Sequence, residues 1–284
     1  MGEVFELFKK QRIEAWITLA HVCRRWRSVV FQSPRRLNLR LLCTHRTRAR
    51  DILDVWPPLP LIIHDSYDIL NHRNGTSGVD DITAALEHND RVCQIKLRYL
   101  TSSQLEYLTD SAAMQKPFPE LTDLHLRIFV DDGLGRILPD SFLDGTAPRL
   151  RSLYLDDILF PGLPKLLLSA THLVRLDLHG IPRSGYIPPE AMATSLSALT
   201  SLEFLRLNFR FPRPRSALGS RRPPPPPLTC SILPNLTKIR FKAVSEYLEV
   251  ILARIDASRL NLLHITLSYL THHTSSSLSV EDQR

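Results

Sequence analysis

A short apolar phrase keeps returning along this chain. Leu-x-x-Leu-x-Leu occurs at Leu121/Leu124/Leu126, Leu150/Leu153/Leu155, Leu173/Leu176/Leu178 and Leu202/Leu205/Leu207. Conservative versions stand at Val92/Ile95/Leu97, Leu236/Ile239/Phe241 and Leu260/Leu263/Ile265. Successive starts lie 29, 29, 23, 29, 34 and 24 residues apart. Recurrence at this period predicts a stacked array, in which each unit buries one face against its neighbours and leaves a long surface free.

The alternation inside each phrase predicts a short strand. Turn residues follow, and then helical stretches at 102–114, 162–170, 189–199 and 245–256. The last carries Tyr247, Leu248, Ile251, Leu252 and Ile255 along one face. The expected fold class is α/β, a solenoid with a parallel concave sheet and outer helices.

With the phrase leucines inside, period two assigns the alternate positions to the open face. They are Gln94/Lys96/Arg98, Asp123/His125/Arg127, Ser152/Tyr154/Asp156, Arg175/Asp177/His179, Phe204/Arg206/Asn208, Lys238/Arg240/Lys242 and Leu262/His264/Thr266. The middle of that surface, with His125, Tyr154, Arg175, Asp177, Phe204 and Arg206, mixes aromatics with arginine, as binding centres do. Lys238, Arg240 and Lys242 form a wholly basic strand face, which would steer an acidic segment of a protein ligand.

Upstream of the array the pattern changes. Residues 14–31 read as one amphipathic helix with Trp16, Leu19, Cys23, Trp26 and Val30 on a stripe, ended by Ser33-Pro34. A shorter helix is expected over 3–10. Leu37/Leu39/Leu41 and Leu59/Leu61/Ile63 alternate as strands do, and Asp80/Asp81 open a short helix over Ile82 to His88. This gives a helical module at 1–33, a transition segment at 34–89, repeats over 90–270 with a Pro/Arg-rich insertion at 211–228, and a disordered Ser/Thr-rich tail at 271–284.

Charge separates the same pieces. Residues 1–50 hold twelve Lys/Arg against three Asp/Glu, whereas 51–284 hold 24 against 26. The basic excess belongs to the N-terminal module. No apolar run reaches 18 residues, so no membrane span is expected, and the acidic start lacks a secretory leader. Cys23, Cys43, Cys93 and Cys230 are far apart and read as free, buried thiols. Arg221-Arg222 before Pro223–Pro227 matches a polyproline docking motif, with a plain loop insertion as the simpler reading.

The repeated phrase resembles the leucine-rich repeat family. It departs three positions later, where that family places Asn or Cys and this chain has Phe129, Ile158, Ile181, Arg210 and Val244. No polar ladder and a less regular curvature follow. The segment Val22-Cys23-Arg24-Arg25-Trp26-Arg27 resembles the second half of an F-box. The opening Leu-Pro of that motif is missing, and Phe5 and Phe8 match its first half only loosely. The whole chain is similar to F-box-like proteins of mushroom-forming fungi. That resemblance implies docking on a Skp-type adaptor of a cullin-based ubiquitin ligase through Trp16, Leu19, Val22, Cys23 and Trp26. It also implies an unidentified protein substrate on the repeats and a place in the cytoplasm or nucleus. A repeat scaffold that recruits no ligase is the alternative.

Catalytic signatures are missing from the sequence. Gly-x-Gly-x-x-Gly, phosphate-binding loops, His-Glu-x-x-His and Gly-x-Ser-x-Gly do not occur. Asp131-Asp132-Gly133 and Asp156-Asp157 read as solvated turns. His272-His273 falls in the tail. The basic stretches lack aromatic platforms, which argues against nucleic acid. A non-catalytic binding protein with no cofactor and no metal is expected.

Overall fold

The computed structural model of the chain describes residues 16–18, 20–32, 39–44, 49–65, 79–128, 136–182, 185–210, 231–243, 245–268 and 275–281. The expected helix at 3–10, Leu19, the insertion at 211–228, Cys230 and His272-His273 lie outside these residues.

The fold is α/β and centres on one ten-stranded sheet. β1 (Leu41–Cys43), β2 (Leu61–His64), β3 (Val92–Leu100), β4 (Asp123–Ile128), β6 (Ser152–Asp156), β8 (Arg175–Ile181), β9 (Phe204–Phe209), β11 (Lys238–Ala243) and β13 (Leu262–Ser268) are parallel and adjacent in chain order. β14 (Ser275–Glu281) adds an antiparallel edge to β13. The short strands β5 (Arg136–Ile137) and β7 (Ile158–Leu159) pair with each other, as do β10 (Ser231–Ile232) and β12 (Ile255–Asp256). Nine parallel strands stacked in sequence are compatible with a solenoid.

Register follows the phrase. Ile95, Leu124, Leu153, Leu176, Leu205, Ile239 and Leu263 are successive cross-strand partners. Leu97, Leu126, Leu155, Leu178, Leu207, Phe241 and Ile265 form the next rung. The backbone repeats as well. The amide one residue after each phrase start donates to the equivalent carbonyl of the preceding unit: Thr122 to Cys93, Arg151 to Thr122, Val174 to Arg151, Glu203 to Val174, Thr237 to Glu203 and Asn261 to Thr237, all at 2.8–3.0 Å. Equal phrases in equal register let each leucine stack on its counterpart. A one-residue slip would turn every leucine to water.

Besides the helical residues 16–18 and 20–22 and a short 3-10 turn at Phe142–Gly145, the described helices are α1 (Arg24–Gln32), α2 (Ala49–Val55), α3 (Val79–Leu86), α4 (Ser102–Asp110), α5 (Leu163–Ser169), α6 (Pro189–Ser197) and α7 (Ser245–Leu252). α4 opens with a capping box: Thr101 Oγ1 accepts from the Gln104 amide, and Gln104 Oε1 accepts from the Thr101 amide. α5 packs on α6 and α6 on α7. Their buried side chains, among them Leu166, Met192, Leu196, Tyr247 and Ile251, join the leucine rungs in one apolar core. Each fully buried leucine adds roughly 1.5–3 kcal/mol. Covering the leucine side with helices leaves the other face of β4 to β13 to polar residues. No helix among the described residues is long and apolar enough to cross a membrane.

Several expectations are corrected. The stretch read as one helix over 14–31 is interrupted at Cys23, which stands outside helix between residues 20–22 and α1. The helix expected to reach 256 stops with α7, because Ile255–Asp256 leaves to pair with β10. The tail expected to be disordered contributes β14. Backbone pairing with an open edge needs no apolar side chains, so Ser-rich composition did not signal it. At that end Leu263 and Ile265 are only partly buried, unlike the preceding rungs. Cys43 and Cys93 are buried, but Cys23 is exposed.

Candidate functional site

Alternation along the strands carries the polar side chains to the face opposite the helices. β4, β9 and β11 alternate between open and buried positions along their length. Register then aligns the outward residues into cross-strand ladders. One runs Lys96, His125, Tyr154, Asp177, Arg206, Arg240, His264. A second runs Ser152, Arg175, Phe204, Lys238, Leu262. The sequence-predicted substrate set of His125, Tyr154, Arg175, Asp177, Phe204, Arg206, Lys238, Arg240 and Lys242 therefore lies on one continuous surface.

Contacts within it are specific. The His125 and Tyr154 rings stack with centroids 4.0 Å apart. Burial and the nearby Arg98 and Lys96 push His125 down to about 3, so its imidazole stays neutral. Tyr154 Oη donates to Asp156 Oδ2 at 3.0 Å, and burial with the adjacent carboxylate pushes the phenol up to about 12. Asp156 Oδ1 meets His179 Nδ1 at 2.7 Å, and Arg127 Nε lies 3.3 Å from Asp156 Oδ2. Burial works to raise the Asp156 carboxyl, but the bonds from His179 and Tyr154 outweigh it and hold the group below its usual range. The same hydrogen bond raises His179.

Asp177 is the central anchor. It is 0% exposed, and its carboxylate is held by Arg175 at 2.9 Å and Arg206 at 3.4 Å. Arg175 also lies over the Phe204 ring, 4.0 Å from its centre. Asp177 was expected to touch a ligand. Instead it lies beneath its arginines and orients them. Asp156 corrects another expectation, since it is a buried strand end and not a solvated turn.

Backbone shape positions His179. Gly180 follows it at φ +63°, where β8 is irregular against β9. A Cβ there would sit 2.2 Å from Asp157 Oδ1. Asp157 itself is left-handed at φ 58°, its amide donates to the His179 carbonyl, and its carboxylate meets Arg210 at 2.6 Å.

Toward the C-terminal strands the face dips into a pocket of about 330 Å³. His179, Arg206, Asn208, Arg240, Lys242, His264 and Thr266 provide its polar lining. Alternation places all seven outward, but only their convergence marks a site.

The N-terminal set does not stay together. Trp16 is 5% exposed, its Nε1 donates to the Arg40 carbonyl at 3.0 Å, and its ring meets Trp56 and Phe31 edge-on. It belongs to the core and offers a partner no surface, which corrects its assignment to docking. Trp26 is 50% exposed and Val22 60%, and Cys23 is exposed beside them. Val29, not predicted, adds a further open apolar side chain at 52%. It is three residues after Trp26 on α1, so the two share a face.

Comparison with family models, with curated proteins and with solved structures finds no match.

Proposed function

We propose that this chain is a non-catalytic substrate-recognition subunit of a cullin-type ubiquitin ligase. Its leucine-rich repeats hold a protein substrate on the polar sheet face, and its F-box-like helices dock on a Skp-type adaptor. Its contribution to ubiquitin transfer is proximity, which brings a bound protein near chemistry that its partners supply. That work belongs in the cytoplasm or nucleus.

The observation that carries the reading is the apolar surface of Val22, Trp26 and Val29. A half-exposed tryptophan and two exposed valines leave apolar area in water, while Trp16, Ala20 and Val30 tie the same segment to the core. Such a helix face fits a helical partner. The sheet supports the other half of the reading. Arg175, Phe204, Arg206 and Tyr154 present guanidinium and aromatic groups side by side, the residue types that dominate binding centres.

Co-expression with a Skp-type adaptor tests it. The full chain should co-purify with the adaptor, and Trp26→Ala should lose it with the repeats still folded. If the unaltered chain captures no adaptor, the ligase reading falls and the scaffold reading replaces it.

A further inference from the structure

β11 presents three cations in line. Lys238, Arg240 and Lys242 are exposed at alternate positions, while Ile239, Phe241 and Ala243 are buried between them. The neighbouring strands do not neutralise this row. The outward residues of β9 are Phe204, Arg206 and Asn208, and those of β13 are Leu262, His264 and Thr266, with no acid among them. Arg206 is the direct cross-strand partner of Arg240. Like charges directly opposite oppose folding. Asp177 offsets Arg206, but it is already shared with Arg175. Among the described side chains, no carboxylate forms an ion pair with Lys238, Arg240 or Lys242. The pocket beside them adds His264 and Thr266, which can also donate.

The spacing of these charges carries information beyond their sign. Alternate residues of a strand are about 6.6 Å apart. An extended peptide laid along β11 has the same repeat on each of its own faces. Acidic residues at alternate positions would then meet Lys238, Arg240 and Lys242 in step, and a contiguous acidic run would turn half its carboxylates away. We infer that this face binds an extended protein segment with acidic residues at every second position, its central carboxylate seated in the pocket beside Arg240. The inference rests on the proposed role of the sheet face in holding a protein substrate, and it names the chemistry of that substrate.

Two labelled peptides of equal composition test it on the full chain by fluorescence anisotropy. One alternates Glu with Ser, and the other carries the same Glu residues in one block. The alternating peptide should bind several-fold tighter at low salt, as matched ion pairs accumulate along the strand. The preference should shrink as salt rises. Lys238→Gln/Arg240→Gln/Lys242→Gln should abolish the preference, and Lys116→Gln, an exposed lysine off this strand, should keep it. Equal affinity for the two peptides would mean charge attraction without register and would overturn the inference. So would an unchanged preference in the triple variant, or displacement of the peptide by a single-stranded oligonucleotide of the same charge. Adaptor capture is read separately, so either result stands without the other.

Discussion

Asp156 and His179 stand at paired positions of β6 and β8, and the aspartate Oδ1 lies 2.7 Å from the imidazole Nδ1. The pair joins the two halves of the polar face. On one side Asp156 holds Tyr154, which stacks on His125. On the other His179 forms a wall of the basic pocket. The pair's stability contribution has a pH window. The raised His179 contributes below its ordinary value near 6.5, and the contribution is lost as pH rises through its higher folded value. The lowered Asp156 contributes above its ordinary value and loses it as pH falls through its folded value. Asp156→Asn should return His179 toward 6.5, read by NMR titration of the imidazole. It should also destabilise the chain by about 1–3 kcal/mol through the partners left behind.

The two N-terminal tryptophans should behave differently. Trp16→Ala removes a buried ring and a hydrogen bond and should destabilise the fold by roughly 3–5 kcal/mol in urea unfolding. Trp26→Ala should stay within about 1 kcal/mol of the unaltered chain. Equal losses would show that Trp26 is part of the core.

Asp65 makes the fold sensitive to alkali. It follows β2 directly, is fully buried, and accepts the amides of Arg98 and Tyr99 at 2.5 Å. Its Oδ1 has no hydrogen-bond partner among the described residues. Burial pushes the carboxyl up to about 7, against the pull of those amides. A raised value means that stability is full below the ordinary value near 3.8 and falls as pH rises through about 7. Asp65→Asn keeps an acceptor for the two amides and cannot ionise. Thermal melts at pH 5 and pH 8.5 should therefore differ less in the variant than in the unaltered chain.

The edge beyond β13 depends on β14. Deleting residues 275–284 would leave the outer-edge backbone groups of β13, those not paired with β11, without partners along Leu262–Ser268. An open edge with partly buried Leu263 and Ile265 invites pairing with another chain. Light scattering of the shortened chain should show self-association that the full chain lacks.

Gly180→Ala should be costly, since a methyl group would meet the Asp157 carboxylate at a left-handed position. We expect a loss of about 1–3 kcal/mol in urea unfolding and a displaced His179, visible as a shift of its imidazole resonances.

Periodicity carried much of the fold. Recurrence of Leu-x-x-Leu-x-Leu and strict alternation determined the parallel strands, their chain order and the identity of the outward residues, because a strand has only two faces and a slip of one residue exposes every leucine. The sequence likewise placed His125, Tyr154, Arg175, Phe204, Arg206 and the β11 cations on one surface. Only tertiary structure decided which of those residues face a ligand. Asp177 sits at an outward position yet is covered by Arg175 and Arg206, and Asp156 is buried by partners on three strands. Long side chains from the same and neighbouring strands do this covering, and strand period says nothing of where they end. The same distinction separates Trp16 from Trp26. Helical spacing put them on one stripe, but the break at Cys23 and the packing of Trp56 and Phe31 around Trp16 turned one inward and left the other in water.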